Sequence, residues 1–307
     1  MKNPLVSVII PNYCHAKFLD QRIQSVLNQT YQNFEVIILD DCSPDDGASK
    51  AVIEKYRKNP HVSHIVYNDK NSGSPYKQWS KGVDLAKGEL MWVAESDDYA
   101  DGQMLEILVT QFENHDGLSI AFCRSMAFSE KGIIGPCGPF NIEEGVIQGK
   151  KFIHDYMVIG TGIVNASSAI FLKTAYLSIS DIYTTFKGSG DHLFWIELAE
   201  KGNVAFIDKT FNFFRQHHGS TTQKLTRSGL NQIEDKRIFD YICEHGYILK
   251  HEIRFYRKET MRINVFELHG DKSIQKRIYK AWGFSKYEQL ELKFDAYIKK
   301  IKKLIGV

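Results

Sequence analysis

The first hundred residues alternate between two hydrophobic periods. Val6-Ser7-Val8-Ile9-Ile10 is a β-branched run that stops at Pro11-Asn12, and Phe18, Leu19, Ile23, Val26 and Leu27 follow at helical spacing. A second apolar run over 34–39 ends at Asp40-Asp41, and a helical stretch over 48–58 comes next. A third strand is predicted over 62–66, a helix over 75–87 that stops at Gly88, and a fourth strand over 90–94 that ends in Glu95-Ser96-Asp97-Asp98. Nearly continuous apolar strands separated by helices predict βαβ units and a mostly parallel sheet with helices on both faces. Beyond residue 100 the pattern loosens. Residues 118–128 and 166–172 read as strands, the Gly- and Pro-rich 131–150 as loop, and 192–199 as a helix behind Gly188-Ser189-Gly190-Asp191. Residues 204–207 and 211–214 read as two short strands, the second ending at Arg215-Gln216-His217-His218, and from about Arg227 onward the chain is helical.

In open α/β sheets, ligands bind beyond the carboxyl ends of the strands. Pro11-Asn12-Tyr13, Asp40-Asp41 and Asp97-Asp98 sit at three such ends, so they are expected to converge on one crevice. Its acidity suits a cation, sugar hydroxyls, or both. Asp97-Asp98 reads as a carboxylate pair for a hard divalent ion such as Mg²⁺ or Mn²⁺, or as a capping pair before the next helix. Asp40-Asp41, with Ser43 and Asp45, reads as turn chemistry or as acceptors for a base N–H or a ribose hydroxyl. Asp191 reads as a helix N-cap or as a carboxylate available for general-base work.

Composition removes several classes. Hydrophobic residues make up 43% of the chain and charged residues 25%, which is ordinary globular material. No apolar run reaches the roughly 18 residues of a membrane-spanning helix, and the apolar stretch after Met1 is too short for a signal peptide. The five scattered cysteines form no CxxC pair, so neither a zinc site nor a disulfide framework is indicated, and a cytoplasmic location is expected. The glycines at 160–162 and 188–190 lack the pattern of a nicotinamide-binding loop.

Four segments together, "VSVIIPNY", "SVLNQTYQNFEVIILDDCSPDD", "LAKGELMWVAESDD" and "GDHLFW", resemble glycosyltransferase family 2 in order and spacing. The resemblance covers about residues 5–220 and is densest over 5–98. It implies the GT-A fold, an inverting mechanism, a nucleotide-sugar donor (a UDP-sugar), a divalent cation (Mn²⁺ or Mg²⁺), and a glycan or lipid-linked glycan acceptor in cell-surface polysaccharide assembly. Residue by residue, it implies that Pro11 and Tyr13 hold the nucleoside, that Asp41 reads the uracil ring, and that Asp97 holds ribose or sugar. It implies further that Asp98 holds the metal, that His217 approaches it with His218 as the alternative, and that Asp191 is the catalytic base. The family often carries an Arg-Asn pair where this chain has Trp79-Ser80. Lys77, one turn earlier, is then the expected source of positive charge at the nucleotide. A nucleotide-sugar-binding scaffold and a sugar nucleotidyltransferase are the competing functions. The latter would need a Gly-rich, basic loop where Pro11-Asn12-Tyr13-Cys14-His15 stands.

The net charge of +2 is unevenly spread. Residues 249–307 hold 15 Lys/Arg against 7 Asp/Glu, leaving 24 against 30 for the rest. A catalytic domain is expected over 1–225, with a nucleotide-sugar half over 1–100 and an acceptor half over 101–225, followed by a basic helical region over 226–307. In that region Tyr287, Leu290, Phe294, Tyr297, Ile301 and Leu304 recur at spacings of three and four, flanked by Lys299, Lys300, Lys302 and Lys303. Three readings stand for this seam: packing on the catalytic domain, homo-oligomer formation, and peripheral association with the inner face of the plasma membrane. Nucleic acid is not an expected partner, because the aromatics lie on the seam rather than between the basic residues.

Overall fold

The computed structural model describes the chain except for residues 140, 218–220, 264, 266–270 and 306–307 and the side chains of 221–223, 299–300 and 302–305. His218, the four flanking lysines and Leu304 therefore lie outside the described residues. The chain forms two compact units. One comprises Met1–Tyr156 and Thr161–His217, and the other Met157–Gly160 and His218–Val307.

The first unit is built on one sheet. Its strands are β1 Val6–Asn12, β2 Phe34–Asp40, β3 Val62–Tyr67, β4 Leu90–Val93, β5 Tyr99–Ala100, β6 Leu118–Ser129, β7 Gly132–Cys137, β8 Gly145–Ile147, β9 Ala169–Leu172 and β10 Asn203–Arg215. The order is β3-β2-β1-β4-β9-β6-β10-β5, with β7 added on β6 and β8 on β10. The strands β1 to β4 run parallel, as do β6 and β10, while β9 is antiparallel to both of its neighbours. Helices α1 Ala16–Leu27, α2 Ala48–Glu54, α3 Pro75–Leu85, α4 Met104–Asn114, α5 Gly149–Tyr156, α6 Lys173–Tyr176 and α7 Gly190–Ala199 complete the unit. β1 and β2 are buried along their whole length, which is why they read as unbroken apolar runs. The helix α3 lies close on β1: a Cβ at Gly82 would meet Ile9 Cγ2 at 2.3 Å, so any larger residue there would have to displace Ile9.

Three expectations need correction. The 131–150 stretch is not simply loop, since it contributes β7 and β8. Gly135 and Pro136 are accommodated because β7 pairs only with β6 and lies off the main strand order. The two short strands predicted over 204–214 are one strand, β10, whose register shifts between Ile207 and Thr210 and again between Thr210 and Asn212. The two-residue β5 had no counterpart in the sequence pattern. It pairs Tyr99 with Phe213 and Ala100 with Asn212, directly beyond the aspartate pair.

The second unit contains α8 Thr221–Ser228, α9 Leu230–Glu244, α10 Ile253–Arg262, α11 Lys272–Ala281 and α12 Lys286–Ile305. Trp282 is fully buried against Phe239 and donates to the Gln232 carbonyl at 2.8 Å. Glu288 and Asp295 of α12 pair with Arg257 and Lys258 of α10. The seam residues Tyr287, Leu290, Phe294 and Tyr297 are more than 60% exposed. Among the described residues no helix is long and apolar enough to cross a membrane.

Candidate active site

The predicted crevice forms where β1, β2 and β4 end. Asn12 ends β1 opposite Asp40 of β2 and donates to its Oδ1 at 2.7 Å. Asp41 is 5% exposed. Its Oδ1 accepts from Asn68 Nδ2 (2.6 Å), the Ser72 amide (2.9 Å) and Gln78 Nε2 (2.9 Å), and its Oδ2 from Ser72 Oγ (2.7 Å). Each carboxylate oxygen has two lone pairs, so Oδ2, with one bond, keeps one for a ligand. Pro11 is buried within β1 and Tyr13 is exposed beside it. Lys77 is exposed on α3 and donates to the Ser72 carbonyl at 3.2 Å, so its charge is directed at the backbone rather than at the acidic cluster.

The aspartate pair divides sharply. Asp98 is completely buried. Its Oδ2 accepts from Asn165 Nδ2 (2.9 Å) and Ser167 Oγ (2.8 Å) and pairs with the equally buried Arg22 at 3.8 Å, while its Oδ1 accepts from the Arg215 amide at 2.9 Å. Burial and the neighbouring Asp97 charge push its carboxyl up to about 6, against the pull of Arg22. Asp98, the residue expected to hold the metal, is thus buried and engaged by Arg22, Asn165, Ser167 and the Arg215 amide. Asp97 is the accessible member. Its Oδ2 lies 3.0 Å from His217 Nε2, and one donor atom each of His15, Asp97 and His217 fall within 4.8 Å of one another. Burial alone would raise the Asp97 carboxyl, but the hydrogen bond with His217 and the charges of His15 and His217 outweigh it and hold it low. Of the two aspartates, it is Asp97 that the structure places beside His15 and His217.

β10 makes this arrangement. Arg215 Nε donates to the Asp97 carbonyl at 2.7 Å, and its guanidinium lies 4.4 Å from the ring centres of both Phe18 and Phe128. Tyr99 stacks on Phe213 at 4.4 Å. The short β5–β10 ladder thereby brings His217 to Asp97.

Helix α3 addresses three carboxylates from about one turn. Gln78 holds Asp41, Trp79 Nε1 donates to Glu95 Oε1 at 2.8 Å, and Tyr76 Oη donates to the Gly188 carbonyl at 2.7 Å and reaches Asp191 Oδ1 at 3.4 Å. Burial, then the charges of Asp97 and Asp98, raise the Glu95 carboxyl to about 8. Asp191 opens α7 and accepts from the His192 amide. The loop before it packs so closely on Tyr76 that a Cβ at Gly190 would lie 2.6 Å from the ring. The sequence reading missed Tyr76, Gln78, Glu95 and His15. The clue available was positional: Trp79 replaces a family arginine, and Glu95 stands two residues before Asp97.

A family model described as Glycosyl transferase family 2 matches residues 7–170, more than half of the chain. The chain belongs to that family. Its relatives include the glycosyltransferase GlyG of Streptococcus pneumoniae, 31% identical over 36% of this chain and 36% of its own length. The poly(ribitol-phosphate) beta-N-acetylglucosaminyltransferase TarS of Staphylococcus aureus is 24% identical over 94% of this chain and 46% of its own. The chain thus spans less than half the length of either relative. In structure, TarS in complex with UDP-GlcNAc superposes with a TM-score of 0.69 at 18% identity, covering 90% of this chain and 79% of that one. The mannosyltransferase PcManGT of Pyrobaculum calidifontis, in complex with GDP-Man and Mn²⁺, gives 0.60 at 13% identity, covering 98% and 87%. These likenesses establish the GT-A fold.

Proposed function

We propose that this family 2 member is an inverting, metal-dependent glycosyltransferase. It would move a sugar from a UDP-sugar to a hydroxyl of a glycan or lipid-linked glycan in cell-surface polysaccharide assembly. One observation carries the reading. The accessible carboxylate of Asp97, with two imidazoles beside it, sits at the carboxyl end of the same parallel sheet as Asp41. The UDP-GlcNAc complex of the TarS neighbour and its poly(ribitol-phosphate) acceptor support the donor and acceptor classes. The competing scaffold and nucleotidyltransferase readings are favoured by no feature of this site.

Asp97, His217 and His15 fit a divalent cation, because their donor atoms are close, partly exposed and of metal-ligating type. Bound there, the cation would supply charge neutralisation for a departing diphosphate. The rest falls to the protein's own residues. Asp41 would orient the base through Oδ2, and Asp98 would keep Arg22 and the Arg215 amide in place beneath Asp97. Asp191, steadied by Tyr76, would take the proton from the acceptor hydroxyl as that oxygen attacks the anomeric carbon, inverting it in one displacement. This route needs no carboxylate nucleophile, unlike the double displacement of a retaining glycosidase.

Thermal-shift screening of nucleotide sugars with Mn²⁺ tests the proposal, since a ligand stabilises by RT ln(1 + [L]/Kd). A UDP-sugar should give the largest shift and be hydrolysed slowly in the absence of acceptor. Inertness toward the whole donor panel would refute the enzymatic reading.

A further inference from the structure

Three features of the loop leaving β1 converge on His15. Cys14 adopts φ +58°, a left-handed conformation uncommon outside glycine, and its amide is tied to Ser43 Oγ at 2.9 Å. That bend delivers His15 to the first position before α1, yet its side chain makes no capping hydrogen bond to the helix. Instead Nδ1 lies 2.9 Å from the buried Ser96 Oγ, and the ring meets that of His217 edge-on with centres 5.5 Å apart.

The geometry points to His15 as a third protein ligand of the divalent cation. With Asp97 and His217 it makes a two-histidine, one-carboxylate set that favours Mn²⁺ or another first-row transition ion over Mg²⁺. This inference rests on the metal-dependent reading above. Two donors bound at about 2.1 Å lie about 3 Å apart when adjacent and at most about 4.2 Å apart when opposite. Donor atoms already within 4.8 Å of one another need only small side-chain adjustments to meet one ion. In the tautomer whose Nδ1 donates to Ser96 Oγ, Nε2 carries the lone pair a cation needs, and Ser96 fixes the ring as outer partners of metal-bound histidines do. Mg²⁺ prefers carboxylates, water and phosphate oxygens, whereas imidazole suits the transition ions. Asp98, the second carboxylate that would tilt the site toward Mg²⁺, is committed to Arg22, Asn165 and Ser167.

The test is metal binding by the full chain, with and without UDP, using Mn²⁺ and Mg²⁺ titrations and pulsed electron paramagnetic resonance to count imidazole nitrogens on Mn²⁺. Two imidazoles are expected in the wild type and one in His15→Gln. His15→Gln should weaken Mn²⁺ binding at least tenfold, since even residues that only orient a ligand cost about 10–100-fold. Its Mg²⁺ affinity should change much less. Ser96→Ala should keep both imidazoles and lose affinity to a smaller degree. One imidazole on wild-type Mn²⁺, with His15→Gln binding unchanged, overturns the role of His15 and leaves the transferase reading standing. No bound Mn²⁺, with or without UDP, overturns both.

Discussion

The indole nitrogen of Trp79 donates to Glu95 Oε1 at 2.8 Å, tying the helix that follows β3 to the acidic loop that follows β4. The bond sets a neutral donor against a carboxyl that burial and the charges of Asp97 and Asp98 raise to about 8. Trp79→Phe retains an aromatic ring in the buried position and deletes the donor. It should destabilise the first unit by about 1–3 kcal/mol, the usual cost of leaving a buried partner unsatisfied, as measured by urea unfolding.

The two aspartates should separate cleanly under mutation. Asp98→Asn strands Arg22 in the interior without its counter-charge, and breaking a buried pair in this way costs about 3–5 kcal/mol. Asp97→Asn should leave the melting temperature nearly unchanged and abolish Mn²⁺-dependent UDP binding in calorimetry. The reverse pattern would restore the roles that the sequence alone implied.

Asp191→Asn should lower kcat by about 10²–10⁴-fold with donor KM unchanged, as removal of a general base does. Tyr76→Phe keeps the ring against Gly190 and removes only the hydroxyl that reaches Gly188 and Asp191. A kcat loss of about ten- to a hundredfold at constant donor KM is expected from the loosened base. A change confined to KM or to stability would assign Tyr76 a purely structural part.

Much of this was readable from the chain. β1, β2, β3 and β4 were legible because their apolar runs are short, β-branched and bounded by polar turns, and the carboxyl-end clusters followed from topology. The division of labour between Asp97 and Asp98 was not. Asp98 is held inward by Asn165, Ser167 and the Arg215 amide, none of them nearby in sequence. β7 escaped notice because its pairing with β6, not its Gly- and Pro-rich composition, makes it a strand.

Acid stability offers a test away from the crevice. Glu35 Oε1 accepts from Ser7 Oγ and from the Lys87 amide, both at 2.7 Å, and the Gly88 amide donates in turn to Ser7 Oγ. Burial pushes the Glu35 carboxyl up, but these hydrogen bonds outweigh it and leave it below its ordinary value of 4.5. The unfolded chain therefore binds the proton first, so the contribution is complete above pH 4.5 and is lost as pH falls through the lower folded value. Glu35→Gln should cost about 1–2 kcal/mol at pH 7, with the gap from wild type closing in acid during chemical denaturation.

The two-residue ladder between β5 and β10 also governs when the chain first becomes competent. Asp97 and His217 are 120 residues apart in sequence, and they meet only after β10 has docked beside β6 and taken up β5. A nascent chain that has formed only its first four strands already holds His15, Asp41 and Asp97 but lacks His217, which this ladder delivers. On the proposed function, donor turnover should not start on a half-made sheet, and the onset of metal-dependent activity during refolding would time the closure of the last strand.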